Sequence, residues 1–201
     1  FHRRGIGLSC FMHGTGLNGN AEGFFRSRVF IDATATGRFR VSTSQIEMGQ
    51  GTDTIVAQLA ATGLGVSIDR IELAPLDTAV TPNSGPTVAS RTAAVIGGLL
   101  IDAGRRLRER IERFAGRPLP DEAAFATAAA RLAAAGPVRE EAEYTPPPGF
   151  AWDESRHHGD AYLGYSWGCY VVVMEVDLLT GETRPLDVTA VQDIGCVVNP
   201  M

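Results

Sequence analysis

Apolar residues recur along this chain with two different periods, and the switch between them divides it into strands and helices. Residues 37–44 alternate, with Phe39, Val41 and Thr43 on one face, whereas Ile55, Val56, Leu59, Ala60 and Leu64 return at helical spacing. The same reading predicts a short buried strand at 5–12, followed by a flexible connection bearing Gly14, Gly16 and Gly19. A hairpin of 24–32 with 37–44 comes next, then a helix over 52–64 and a strand within 65–74. A long helix follows over 87–114, carrying Val95, Leu99, Ile101, Leu107 and Ile111 on its apolar stripe. An alanine-rich helix covers 121–134, between Pro118 and Pro120 on one side and Gly136-Pro137 on the other. A strand at 138–144, a Pro/Gly-rich surface excursion over 144–160 and a hairpin of 162–177 with 183–194 complete the chain. Strands and helices mix without strict βαβ alternation, which predicts an α+β fold with a mixed sheet and packed helices.

Two loops interrupt this pattern with unusual chemistry. Glu47-Met48-Gly49-Gln50-Gly51-Thr52-Asp53-Thr54 runs from a strand through a glycine-flanked turn into a helix. Such a junction presents backbone N–H groups at the positive end of the helix dipole and is an anion site of the kind used for phosphate. Plain turn chemistry is the alternative. The second loop, residues 81–92, leads into the long helix through Ser84, Gly85, Pro86 and Thr87. Ser84 or Thr87 is placed to cap that helix, and Thr87, Ser90, Arg91 and Thr92 give its opening turn several hydrogen-bonding groups. A ligand with several acceptors would use them all. A capped surface helix with a solvated Arg91 would use one. Gly97, Gly98 and Gly104 each weaken the helix by about 1 kcal/mol relative to alanine, a cost that close helix packing explains best.

Composition narrows the function. With 201 residues, 44% of them hydrophobic and 20% charged, the chain can bury one substantial core. Its net charge of −5 and the lack of a basic, aromatic-interleaved run argue against a nucleic-acid surface. All its non-histidine cations are arginine, and the cluster from Arg105 to Arg113 alternates with Glu109 and Glu112 as a solvated helix face. Cys10, Cys169 and Cys196 are dispersed, so neither zinc nor an iron–sulfur cluster is expected within the chain. His157 and His158 are adjacent and make a poor metal pair. No apolar run spans a bilayer, so a soluble, cytoplasmic protein is expected. A Rossmann site is disfavoured because the Gly49-x-Gly51 pattern lacks the third glycine and its βαβ setting.

Three motifs in order resemble one family: Glu-Met-Gly-Gln-Gly-x-x-Thr at 47–54, Gly-Pro-Thr-Val-Ala-Ser-Arg-Thr at 85–92, and Asp-Ile-Gly-Cys-Val-Val-Asn-Pro at 193–200. They resemble the molybdenum-binding subunit of the xanthine dehydrogenase and aldehyde oxidase family of molybdenum hydroxylases. The Gly164-Tyr165-Ser166-Trp167-Gly168 strand and the Thr180-Gly181-Glu182 hairpin are similar too.

The resemblance implies a molybdopterin cofactor, hydroxylation of an aldehyde or purine-like carbon with oxygen from water, and electron exit through [2Fe–2S] clusters and often FAD on partner domains or subunits. It implies cofactor contacts at Gly49, Gln50, Gly51, Val88, Ala89, Ser90, Arg91 and Thr92, with Val88 and Ala89 beside the metal. A looser similarity places Cys10 and Phe11 in the substrate pocket. The family's general base is a glutamate beyond the Asn-Pro motif, so no catalytic residue is assigned in this chain, and Glu47 does not take that role. Residues 1–201 are therefore expected to be a partial molybdopterin-binding domain, inactive alone, that associates with the rest of the molybdenum subunit and tends to oligomerise. The rival expectation is a scaffold that keeps the fold without the cofactor, and the intact motifs count against it.

Overall fold

The computed structural model describes residues 1–200. In chain order the elements are β1 (His2–Thr15), α1 (Ala21–Phe25), β2 (Arg28–Ala33), β3 (Phe39–Ser42), α2 (Thr52–Leu64), β4 (Ile71–Leu73), α3 (Gly97–Ala115) and α4 (Glu122–Ala134). They are followed by β5 (Val138–Glu143), the two-residue β6 (Trp152–Asp153) and β7 (His158–Gly159), and the long β8 (Gly164–Asp177) and β9 (Thr183–Asp193).

The core lies between helices and a four-stranded sheet ordered β4-β3-β2-β5, in which only β3 and β4 run parallel. Alternation decides which face is covered: Val29, Ile31 and Ala33 of β2 are buried, while Arg28, Phe30 and Asp32 between them are half-exposed. Leu100, Ala103, Leu107 and Ile111 of α3 pack with Val56, Leu59, Ala60 and Leu64 of α2 in the same cluster. Phe125 of α4 closes one end by stacking on Phe39, with ring centroids 5.6 Å apart. Close helix packing accounts for Gly97 and Gly104, where a Cβ would lie 2.5 Å from Leu59 Cδ1 and 2.8 Å from backbone of Gly63, but not for Gly98, where it would meet nothing within 4 Å.

The α+β expectation with a mixed sheet holds, as do the predicted hairpins and the helix over 121–134, and α2 begins and ends where its pattern predicts. Other local expectations change. The apolar run at 5–12 belongs to a strand exposed along nearly its whole length, in a separate antiparallel sheet ordered β1-β8-β9. Among the described residues no helix packs substantially on that sheet. The 65–74 segment spends Ile68–Arg70 in a 3-10 turn before the short β4. The long helix opens with a π-helical turn over Thr92–Ile96 before α3 becomes regular. The short α1 interrupts what reads in sequence as glycine-rich connection and hairpin.

Candidate functional site

The glycine loop and the second loop come together at the N-terminal ends of α2 and the π-helical turn. Between them lies a groove of about 360 Å³ lined by Met48, Gln50, Thr52, Ile55, Thr87, Val88, Ala89, Ser90, Thr92 and Ala93. Side chains crosslink its walls. The Ile46 N–H donates to Thr87 Oγ1 (2.9 Å), and Thr92 Oγ1 donates to Gln45 Oε1 (2.6 Å). Buried Gln45 returns its amide N–H to the Gly85 carbonyl (3.1 Å), so one side chain just ahead of the glycine loop grips both ends of the second motif. Ser84 does not cap the helix: its hydroxyl donates to the Arg28 carbonyl (2.7 Å) and accepts from the Ser44 N–H.

The glycine loop is partly filled by the protein itself. The Glu47 carboxylate accepts from the N–H groups of Gly49 (2.6 Å), Gly51 (3.1 Å) and Asp53 (3.1 Å). The Asp53 bond, then the Gly51 bond, holds this carboxyl below its ordinary pKa. The helix start is thus the anion site its pattern predicts, and the anion is Glu47. This arrangement also removes Glu47 from any role as a free base. Gly49 (φ 100°) and Gly51 (φ 84°) are required by their left-handed backbone, since a Cβ at either would meet nothing within 4 Å. Gln50 is folded over the loop, donating to the Ile46 carbonyl (2.8 Å) and to Thr52 Oγ1 (2.7 Å).

The second wall carries the unspent donors. Ala89 (φ 51°) and Ser90 (φ 60°) are successive non-glycine residues in the left-handed region, an uncommon and costly conformation. Among the described residues neither N–H is donated to another backbone carbonyl, and both residues are exposed on the groove. A π-helical turn follows at once, a distortion that recurs at functional sites.

Arg91 is a correction. Its side chain is fully buried rather than turned to the groove or to solvent, and all its nitrogens are spent inside the protein. Nε bonds both oxygens of Glu22 (2.9 Å each), Nη1 the Pro86 carbonyl (2.6 Å), and Nη2 Ser27 Oγ (2.7 Å). A guanidinium offers more fixed donors than any other side chain, and the interior engages all three of its nitrogens. Cys10 and Phe11 also stand apart: neither lines the groove. Cys10 faces Cys169 across β1 and β8, and its thiol pushes that of Cys169 up, while Phe11 stacks on Tyr170 at 5.3 Å. Gly168 leaves the space that the Phe11 ring fills. Glu22 and Gln45 were not singled out in the sequence, and Met48 and Ile55 only as part of the loop motif and of the helical stripe; Glu22 gave no signal because it sits in a segment resembling a flexible connection. Among the described residues no acidic, histidine or cysteine cluster could hold a metal directly, and no helix is long and apolar enough to cross a membrane.

The fold and the groove define a ligand-binding α+β domain whose site is walled by two helix-opening loops. The chain belongs to the molybdopterin cofactor-binding domain family, whose model matches residues 1–201. Xanthine dehydrogenase of Oryza sativa subsp. japonica is 30% identical over 173 residues, covering 86% of this chain and 12% of that protein. Aldehyde oxidoreductase of Megalodesulfovibrio gigas is 27% identical over 203 residues, covering 100% and 21%. The structure of the aldehyde oxidoreductase from Desulfovibrio desulfuricans superposes with a TM-score of 0.82 at 27% identity, covering 99% of this chain and 21% of that one. CO dehydrogenase from Oligotropha carboxidovorans shares the fold with a TM-score of 0.79 at 21% identity, covering 99% and 27%. The chain therefore spans between 12% and 27% of these relatives' lengths. It is a molybdopterin-binding domain of the xanthine dehydrogenase and aldehyde oxidoreductase type.

The residues present fit that group. The exposed Ala89–Ser90 turn, with N–H groups not donated to carbonyls, adjoins the hydroxyls of Thr87 and Thr92 and the Gln50 amide along one open groove. Small side chains at 89, 90 and 93 leave room for a bulky polar ligand to approach the backbone.

Proposed function

We propose that this chain forms part of the molybdenum-binding catalytic subunit of a hydroxylase that inserts water-derived oxygen into an aldehyde or N-heteroaromatic carbon. Gln50, Ala89, Ser90 and Thr92 would hold the pterin cofactor, and Val88 and Ala89 would lie on its metal side. Gly49 and Gly51 shape the loop that supports Gln50, while Arg91 acts from behind the wall. The bound molybdopterin supplies the oxidative chemistry, and the chain's residues position it and exclude bulk from its approach. The proton-abstracting glutamate and the rest of the cofactor shell come from other parts of the molybdenum subunit. [2Fe–2S] carriers, and FAD where present, on partner domains would supply the onward electron path.

The observation that carries this reading is the groove itself, which draws on both family motifs and is lined by Ala89 and Ser90, whose N–H groups are donated to no carbonyl among the described residues. Purified complete enzyme should contain molybdenum and pterin in proportion and oxidise aldehydes or purine-like substrates. The 201-residue chain alone should do neither. Stoichiometric cofactor and turnover in the isolated chain would overturn the division of labour proposed here.

A further inference from the structure

We propose that Glu22 is a positioning residue which, through Arg91, locks Ala89 and Ser90 into the left-handed turn forming one wall of the groove. The inference rests on the cofactor-binding reading for its consequence, but the lock is visible in the chain itself.

Left-handed backbone at a residue with a Cβ persists only where the surroundings over-determine it. Here the restraints form a closed circuit. Glu22, buried on α1, accepts from Arg91 Nε through both oxygens and from the Leu17 N–H (3.0 Å). The residue before Leu17, Gly16, donates its own N–H to the Ala89 carbonyl (2.9 Å). Arg91 grips the entry to the turn at the carbonyls of Ser84 (3.2 Å) and Pro86 (2.6 Å), and its N–H closes the turn on the Val88 carbonyl (3.0 Å). Residues 16–17 and 84–91 are thus pinned to one carboxylate from both sides. Gly85 belongs to the same device: a Cβ there would lie 2.7 Å from Arg91 Nη2, so the motif's glycine makes room for its arginine.

A carboxylate that merely filled space would have no reason to be answered by a strained turn two contacts away. A lock makes a different prediction, because its loss should be repaired by any change that lowers the cost of the turn. Ala89→Gly does that, since glycine adopts the left-handed region freely while keeping the N–H.

The test follows amide hydrogen exchange at Gly16, Arg91 and Ala94, whose N–H groups bond the turn at the carbonyls of Ala89, Val88 and Ser90, in the purified cofactor-free chain, and molybdopterin content in the complete enzyme. Glu22→Gln keeps the shape but loses the charge, and it should raise local exchange and lower cofactor retention, each by about tenfold. Adding Ala89→Gly to Glu22→Gln should recover most of both. Should Glu22→Gln fail to fold, Arg91→Lys reports instead, because it keeps the charge but cannot reach Glu22, Pro86 and Ser27 together. Unchanged exchange in the folded single variant, or no recovery in the double variant, would overturn the lock. A wild-type enzyme lacking molybdopterin would overturn the functional reading, while the exchange data would still decide the lock.

Discussion

Gly63 and Gly104 meet where α2 crosses α3: a Cβ on Gly104 would lie 2.8 Å from the carbonyl carbon of Gly63. The atom in the way is backbone, so the helices must separate to admit any side chain. Gly104→Ala should therefore destabilise the domain by about 1–3 kcal/mol despite alanine's better helix propensity. Gly98→Ala on the same helix, where a Cβ meets nothing within 4 Å, should be neutral or mildly stabilising. Urea unfolding of the two variants side by side separates packing from propensity.

The Glu47 carboxylate gives the opening of α2 a pH dependence. Its pKa is held below the ordinary value by the N–H groups of Asp53 and Gly51, so the folded state favours the charged form. The contribution is complete above the ordinary carboxylate range and is lost as pH falls through the depressed value. Exchange at residues 49–53, corrected for its intrinsic pH dependence, should accelerate in that acidic window. Glu47→Gln should exchange fast already at neutral pH and show no such step. A step retained in Glu47→Gln would assign the transition to another group.

Gln45, just ahead of the glycine loop, grips both ends of the second motif. Replacing it with alanine leaves the Thr92 hydroxyl and the Gly85 carbonyl without their partner, at a cost of about 1–3 kcal/mol. The groove should loosen with it, so molybdopterin retention in the complete enzyme should fall together with the melting temperature.

The β1-β8-β9 sheet predicts association. Ile6, Leu8 and Met12 of β1 are exposed, as are Trp167 of β8 and Val191 of β9, and register places Met12 opposite Trp167. An apolar sheet with free edges seeks cover. The isolated chain should grow in apparent mass with concentration by light scattering. Leu8→Lys with Val191→Lys should restore a concentration-independent monomer.

What the sequence revealed follows from the range of each interaction. The helix α2, the hairpin of β8 and β9, and the helix α4 between its flanking prolines and Gly136-Pro137 are written in nearby residues. The strand β1 was legible as a strand but not as an exposed one, because alternation and burial depend on what packs above it. Arg91 was legible as important and misread in direction. Its partner Glu22 lies 69 positions away, and no local pattern joins a glutamate in a glycine-rich stretch to an arginine in a helix-opening loop. Glu47 was set aside as an ordinary turn glutamate, yet it fills the anion site that its own loop creates.

The Gly16 N–H that supports the Ala89 carbonyl lies one residue beyond the end of β1. That peptide belongs to two structures, the end of a strand paired from His2 to Thr15 and the wall of the groove. Sliding the strand by one residue would exchange its faces and carry this donor away from Ala89. A misregistered sheet would then be felt at the groove as a turn without its brace, however far along the strand the slip began.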